Sequence, residues 1–396
     1  MFRDKTLIGL NLAVFLMMLG VGMIVALLPQ RVIDLTGSGA SVGYLASAFA
    51  LSYIVLQVPV GNLSDRMGFK LFLCLGYLTC FLTGLLYYFS DSANLLFLGR
   101  LVQGAGEAPV WALAPALLSI KYPLTKGKVM GIYNAVIHLG LTAGPMLGVM
   151  LSRIWSGNQA FVFYAVVCLS GAVVIYLAVE NTPAGDMKKE TLRLKNILAL
   201  LTNRETFIVL TGITFYGAGY GIFLTVIPAF LINAKSFSPT FLGIFFSLFY
   251  AAISLSQLAT GPLSDRLGRR LFMIAGLLIA AVGIGIFPGL GQPWVSVALT
   301  LASLGLGVFY LSSMAFLNET VPESLKGTIS GAYYLFWGIG MFFGPVLVGK
   351  LGESSSFDAG FMGFSFVLLL EAVLMTINNI VNGRKRLGGI RDGLQI

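Results

Sequence analysis

Charge is what this sequence has least of. Of its 396 residues only 10% are Asp, Glu, Lys or Arg, and it holds one histidine and three cysteines. A soluble domain carries about 25% charged residues, so no stretch here has the polar surface to face water on every side. The shortage excludes a soluble enzyme and a nucleic-acid-binding protein. Cys74, Cys80 and Cys168 lie in apolar runs, with neither a paired framework nor ligand spacing. That excludes a disulfide-stapled secreted domain and predicts no metal site. No Gly-x-x-x-x-Gly-Lys-Ser/Thr phosphate loop and no nucleophile–base constellation occurs. ATP is therefore not the expected energy source, and neither a cofactor nor an enzymatic role is expected.

What the chain has in excess is apolar length. Hydrophobic residues make up 57% of it, and the mean hydropathy is +0.89. A helix needs about 20 apolar residues to cross a bilayer. Polar loops cut the chain into twelve such stretches, near 7–29, 41–60, 71–90, 94–118, 128–152, 159–180, 206–232, 239–260, 271–289, 293–317, 327–350 and 358–381. Barrel strands would alternate in polarity, and these runs do not, so the spans are helices. The first run, Leu7 to Leu28, is too long for a signal-peptide core and no small-residue cleavage site follows it, which predicts a retained span.

The net charge of +9 is a matter of topology. With the amino terminus in the cytoplasm, 20 of the 25 Lys and Arg fall on the cytoplasmic side. Arg31, Arg153, Lys235 and Lys350 fall outside, and Arg100 lies within a span. This is the positive-inside pattern. It predicts a multi-pass protein of the inner or plasma membrane with both termini cytoplasmic and no nucleic-acid partner. The longest polar segment, 181–205, is a cytoplasmic linker between residues 1–180 and 206–396. It carries Lys188, Lys189, Arg193, Lys195 and Arg204, and its Lys-rich stretch suits either a short amphipathic helix on anionic lipid or a solvated linker.

The two halves repeat. Gly61-Asn-Leu-Ser-Asp-Arg-Met-Gly68 returns two hundred residues later as Gly261-Pro-Leu-Ser-Asp-Arg-Leu-Gly268. The same offset pairs Gln57 with Gln257, Lys126-Gly127 with Lys326-Gly327, Tyr133 with Tyr333, and Gly144-Pro145 with Gly344-Pro345. Two parallel six-helix repeats with a binding site between them is a known transporter architecture.

On these motifs the chain resembles the major facilitator superfamily over essentially its whole length, and most of all the drug:proton antiporter branch. The loop Gly61-x-Leu63-x-Asp65-Arg66-x-Gly68-x-Lys70 is similar to the superfamily's signature between spans two and three. Arg100-Leu-Val-Gln103-Gly104-Ala-Gly106 in span four resembles its second motif. Gly140-x-x-x-Gly144-Pro145-x-x-Gly148 in span five resembles the exporter motif, except that Val149 stands where a second glycine is usual. The resemblance implies twelve transmembrane helices in two halves about a pseudo-two-fold axis. It also implies alternating access, a monomer, and a small-molecule substrate exchanged for protons. A uniporter or importer of a sugar, organic acid or peptide, an exporter of a lipid or siderophore, and a non-transporting sensor all share the fold.

Among individual residues, Arg100 and Glu107 stand out, because an ionisable group inside a span is a functional hypothesis by default. Seven helical steps bring them to within about 20° of one face, about 10 Å apart along the axis. Burial disfavours a charged carboxyl and a nearby cation favours it, which suits proton or substrate coupling; a structural ion pair is the alternative. Glu371, mid-way along span twelve, and His138 in span five, the one side chain whose ordinary titration spans neutral pH, are further coupling candidates. Glu371 could instead face lipid or pack between helices, and His138 could equally be a hydrogen-bonded packing residue.

Gly140, Gly144, Gly148 and Pro145 in span five, with Gly344 and Pro345 in span eleven, predict close helix approach and bends. Tyr53, Gln57, Trp111, Asn134, Tyr216, Tyr220, Gln257 and Trp337 are candidates for lining an amphipathic cavity. In the repeated loop, Gly61, Gly68, Gly261 and Gly268 predict tight turns, flanked by Arg66 and Arg266. Asp65 is placed to face the amino-terminal partial charge of span eleven, and Asp265 that of span five. The two would latch the cytoplasmic side. Asp65→Asn is expected to shift the equilibrium toward the inward-facing state and to slow transport; unchanged cysteine accessibility on both faces would rule the latch out.

Overall fold

The computed structural model describes residues 4–122, 126–154, 158–180, 203–320 and 326–393. The linker residues 181–202, and the side chains of Asp65 and Arg66, lie outside the described residues. Among the described residues six helices form the first half: α1 (Lys5–Thr36), α2 (Gly43–Met67), α3 (Phe69–Tyr88), α4 (Ala93–Lys121), α5 (Lys126–Ile154) and α6 (Gln159–Ala178). The second half holds α7 (Arg204–Leu224), α8 (Val226–Asn233), α9 (Pro239–Leu267), α10 (Arg269–Ile286), α11 (Trp294–Thr320), α12 (Lys326–Ser354) and α13 (Phe357–Gly393). Among the described residues no strand is present.

Among the described residues ten segments are long and apolar enough to cross a membrane, with α7 and α8 counted as one; α2 and α4 lie at the other two predicted crossings. The seventh predicted span is broken at Thr225, between α7 and α8. Pro228, in the first turn of α8, has no N–H for the Leu224 carbonyl and its ring crowds it. Thr225 Oγ1 donates instead to the Gly221 carbonyl at 2.7 Å. The fold class and the span count follow from the apolar runs, but the helices reach further than the hydropathy alone suggests. Gly61 and Gly261 lie inside α2 and α9, which continue to Met67 and Leu267. The turn falls on the second glycine of each motif. Gly68 has φ 90° and Gly268 φ 95°, a region open to glycine and strained for other residues. Each closes its helix with an N–H bond, to Ser64 at 2.8 Å and to Ser264 at 3.0 Å.

The chain packs as two compact units that cross the sequence halves. Unit one comprises Met1–Lys189, Tyr220–Ala251 and Met341–Phe357; unit two comprises Glu190–Gly219, Ala252–Gly340 and Asp358–Ile396. In unit one α5 lies along α1, and α4 is held between α2 and α3. The glycine stripe of α5 explains the first pairing. A Cβ on Gly140 would stand 2.9 Å from the Phe15 carbonyl, and one on Gly144 would stand 2.8 Å from the Met23 nitrogen. Only hydrogen atoms at these positions let the two backbones touch, the packing device of helices in lipid.

At the end away from the basic loops, unit one joins helices of both repeats by two equivalent contacts. A Cβ on Gly43 (α2) would stand 3.0 Å from the Pro345 carbonyl of α12, and one on Gly243 (α9) 3.4 Å from the Pro145 carbonyl of α5. Ser47 adds a hydrogen bond to the Phe342 carbonyl, and Arg153 one to Thr240. At the basic end, Lys121 ties three helices. Its Nζ lies 2.8 Å from Glu180, 2.8 Å from Thr6 and 3.3 Å from Asp4, while Asp4 caps α1 through the Thr6 and Leu7 N–H groups. Branched side chains at the two glycines should therefore prevent close approach away from the basic end. Gly43→Val, and more mildly Gly243→Val, are expected to raise labelling of a Ser47→Cys reporter by an impermeant maleimide in a background lacking the native cysteines.

Candidate functional site

The chemistry of α4 follows from a single stripe. Residues 100, 103, 107 and 111 recur at helical spacing on one face, and in this sequence they are Arg, Gln, Glu and Trp. Arg100 is 3% exposed, Gln103 0% and Glu107 2%. Arg100 and Glu107 make no direct ion pair. Gln103 joins them: its Oε1 accepts from Arg100 Nη1 at 2.8 Å, and its Nε2 donates to Glu107 Oε1 at 2.8 Å. That orientation of the amide is the one the chemistry demands, because a guanidinium only donates and a carboxylate only accepts. Trp111 Nε1 donates to the other carboxylate oxygen at 3.0 Å.

Neighbouring helices complete the row. Arg100 Nε donates to the Leu45 carbonyl of α2 at 3.0 Å, and its guanidinium lies 4.7 Å from the centre of the Phe49 ring, a favourable cation–π geometry. Phe49 stacks on Tyr53, ring centres 5.6 Å apart. Tyr87, from the end of α3, donates its hydroxyl proton to Gln103 Oε1 at 2.8 Å. Tyr220 and Tyr250 hydrogen-bond each other within electrostatic range of Glu107. The row is thus a guanidinium and a carboxylate about two helical turns apart, linked through one polarised amide and walled by aromatic rings. Charge-assisted bonds of this kind are stronger than neutral ones. Protonating Glu107 would weaken it as an acceptor for both Gln103 and Trp111, and the change would reach Arg100 through the amide.

The structure brings Arg100, Glu107, Trp111, Tyr53 and Tyr220 into this neighbourhood. Gln57 is half-buried on α2, its amide nitrogen without a partner. His138 is bonded to the backbone of Asn134 one turn back in α5, and Asn134 itself is exposed. Tyr216 packs on Phe309 and Tyr310 within unit two. Trp337 presents its backbone to Gly217, and Gln257 is half-buried on α9. Asp265 is exposed and pairs with Arg269, which also holds Glu319 at 3.0 Å. Arg266 is exposed as well. Glu371 is 2% exposed, on the inward face of α13. Sequence reasoning placed Gln103 in the span-four motif without its bridging role, and missed Phe49 and Tyr87. For Gln103 the signal was present, an amide between two charges at i+3 and i+4; Tyr87 comes from another helix at no readable spacing.

Two six-helix repeats, apolar spans and a buried ionic row between close-packed helices define a multi-pass membrane transporter. The chain belongs to the Major Facilitator Superfamily, whose family model matches residues 10–233 and 209–388. Among its relatives, the quinolone resistance protein NorA of Staphylococcus aureus is 24% identical over 356 residues, 88% of this chain and 90% of that protein. An uncharacterized MFS-type transporter of Methanocaldococcus jannaschii is 26% identical over 361 residues, 88% of this chain and 92% of that one. Among solved structures, the nucleoside transporter NupG superposes with a TM-score of 0.78 at 15% identity, covering 94% of this chain and 98% of that chain. The human organic anion transporter MFSD10 gives 0.70 at 18% identity, covering 94% and 99%.

The Gln103 bridge makes a stability prediction. Gln103→Met should strand Arg100, Tyr87 and Glu107 and cost about 1–3 kcal/mol. The double variant with Glu107→Met should cost less than the sum of the single changes, as coupled groups do. Thermal unfolding of the purified proteins measures both.

Proposed function

We propose that this transporter exports small amphipathic molecules in exchange for protons, as a multidrug-type antiporter of the plasma membrane working by alternating access. The observation that carries the reading is the Arg100–Gln103–Glu107–Trp111 row. A buried carboxylate whose bonds to its donors Gln103 and Trp111 change with its protonation state is a device for linking proton binding to helix arrangement. The likeness to a quinolone resistance protein over most of both chains supports efflux over uptake, and the basic loops support a cytoplasmic location for the Asp65 and Asp265 motifs and both termini.

In this scheme the ionised Glu107 holds Gln103 and Trp111 and attracts a cationic or polarisable substrate, while Tyr53, Trp111 and Tyr220 provide apolar faces. A proton arriving at Glu107 weakens those bonds and releases the substrate on the far side. The Gly140–Gly148 stripe against α1 lets the helices slide without opening a gap, and the Asp65 and Asp265 loops latch the cytoplasmic side. The proton gradient, with no cofactor, drives the cycle, and the monomer suffices.

The test is a substrate screen in proteoliposomes with an imposed pH gradient. Wild type is expected to move amphipathic cations against their gradient, and Glu107→Gln to lose gradient-driven transport while retaining substrate binding. Equal pH-driven flux in wild type and Glu107→Gln would overturn the coupling role, and flux indifferent to the pH gradient in wild type would make the protein a facilitator.

A further inference from the structure

Glu371 is a second deeply buried carboxyl, and nothing in the α4 row uses it. Along α13 the residues Met362, Phe366, Leu370, Val373, Leu374 and Ile377 are exposed, whereas Phe364, Leu368, Glu371, Met375 and Asn378 are buried. Glu371 therefore points into the helices of unit two and away from lipid. Its Oε1 has no hydrogen-bond partner. It is seated against α7 at Gly212, where an added Cβ would stand 3.2 Å from that oxygen, 2.8 Å from Phe309 and 2.9 Å from Met375.

One side chain away lies a small cavity. Its lining includes Glu205 and Val209 of α7, Arg270 of α10, Phe316 of α11, and Met375 and Asn378 of α13. Its water-accessible volume of about 20 Å³ is room for a single water. Three helices lead from this cavity to Glu371 by the same step. Glu205 and Gly212, Phe316 and Phe309, and Asn378 and Glu371 are each seven residues apart, two turns or about 10 Å of rise. Met375 belongs to both ends, lining the cavity and touching the Gly212 position, so its flexible thioether is the partition between them.

The charges facing this path are few. Arg270 pairs with Glu205 at the cavity and donates to Asn379 at 3.0 Å, and Arg269 pairs with Asp265 and Glu319 at the ends of α9 and α11. The remaining lining of α7, α10 and α11 is apolar. Among the described residues no cation is thus left over to neutralise an ionised Glu371, and an unpaired carboxylate in such a place has nothing to offset its lost hydration.

We propose that Glu371 is a second proton-binding site, enclosed by the C-terminal helices and loaded from the basic, cytoplasmic end through the cavity at Arg270 and Glu205. The step is a simple proton transfer. When Met375 moves aside, a hydronium ion passing from the cavity to the carboxyl loses one proton, an O–H bond forms on Glu371, and water is left behind; the return step retraces the same path. The purpose of the site rests on the proton-coupled reading above, but its existence does not.

Infrared difference spectroscopy of the full-length protein in nanodiscs, with pH steps and transfer into D2O, tests this without any substrate. Wild type is expected to show a protonated-carboxyl C=O band that varies with pH, vanishes in Glu371→Gln and survives in Glu107→Gln. Asn378→Leu, which dries the cavity at matched size, should slow the deuterium shift of that band about tenfold. A folded Glu371→Gln protein, judged by its melting temperature, that keeps every wild-type band would overturn the site. So would a Glu371 band that ignores pH. A deuterium shift unaffected by Asn378→Leu would overturn the route. If gradient-driven transport is absent while the Glu371 band behaves as described, the antiport reading falls and the proton site stands. If transport is intact and the band is missing, the reverse holds.

Discussion

An arginine and a glutamate can share the interior of one membrane helix only if every charge on them is answered from within the protein, since lipid answers none. The side-chain amide of Gln103 makes this arrangement possible. Its oxygen meets Arg100 and Tyr87 and its nitrogen meets Glu107, so one neutral group satisfies a cation, an anion and a phenol at once. The surrounding architecture follows from the same need. Helix α2 has to come close enough for the Leu45 carbonyl and the Phe49 ring to reach Arg100, and α3 close enough for Tyr87. Gly104 and Gly106 on α4, pressed against the backbones of α2 and α3, are what allow it.

The same economy of small residues organises the repeat. Glycines on α5 lie against α1, and Gly340 of α12 lies against the α7 backbone at Ala218. The motif prolines complete the parallel. Pro145 meets Gly22 of α1, and Pro345 meets Gly221 of α7, while their carbonyls face Gly243 and Gly43. A motif that reads in sequence as a helix kink is thus also a point where elements from both repeats touch. The Gly-Pro motif and its echo act on packing, and the buried Arg100 and Glu107 lie on α4. On the antiport reading proposed above, alternating access draws on both, because a proton can bias only an equilibrium that the helices are already able to undergo.

Much of this was legible in the sequence, for physical reasons that act locally. Apolar run length reports a span whatever surrounds it, and an offset of two hundred reports a repeat before any helix is placed. The stripe at 100, 107 and 111 is a property of one helix, so its shared face could be read from spacing alone. The turn glycine Gly68 was legible, whereas the helical character of Gly61 was not, since hydropathy marks where the apolar run stops and the hydrogen-bonded helix continues past it. His138 and Glu371 looked alike in sequence, as lone ionisable groups in apolar spans. Their surroundings separate them: a backbone carbonyl of its own helix for His138, an unpartnered oxygen against Gly212 for Glu371.

The sequence by itself determined the number of spans, the two-repeat design, the family and the short list of buried charges, because each depends on composition or on neighbours along one helix. Tertiary structure decided which groups answer those charges. Tyr87, Phe49 and the Leu45 carbonyl reach α4 from other helices, and the Gly212 niche at Glu371 and the Arg270 cavity are assembled from α7, α10, α11 and α13. A hydrogen bond depends on distances of a few tenths of an ångström between elements, and no spacing within a single helix encodes those.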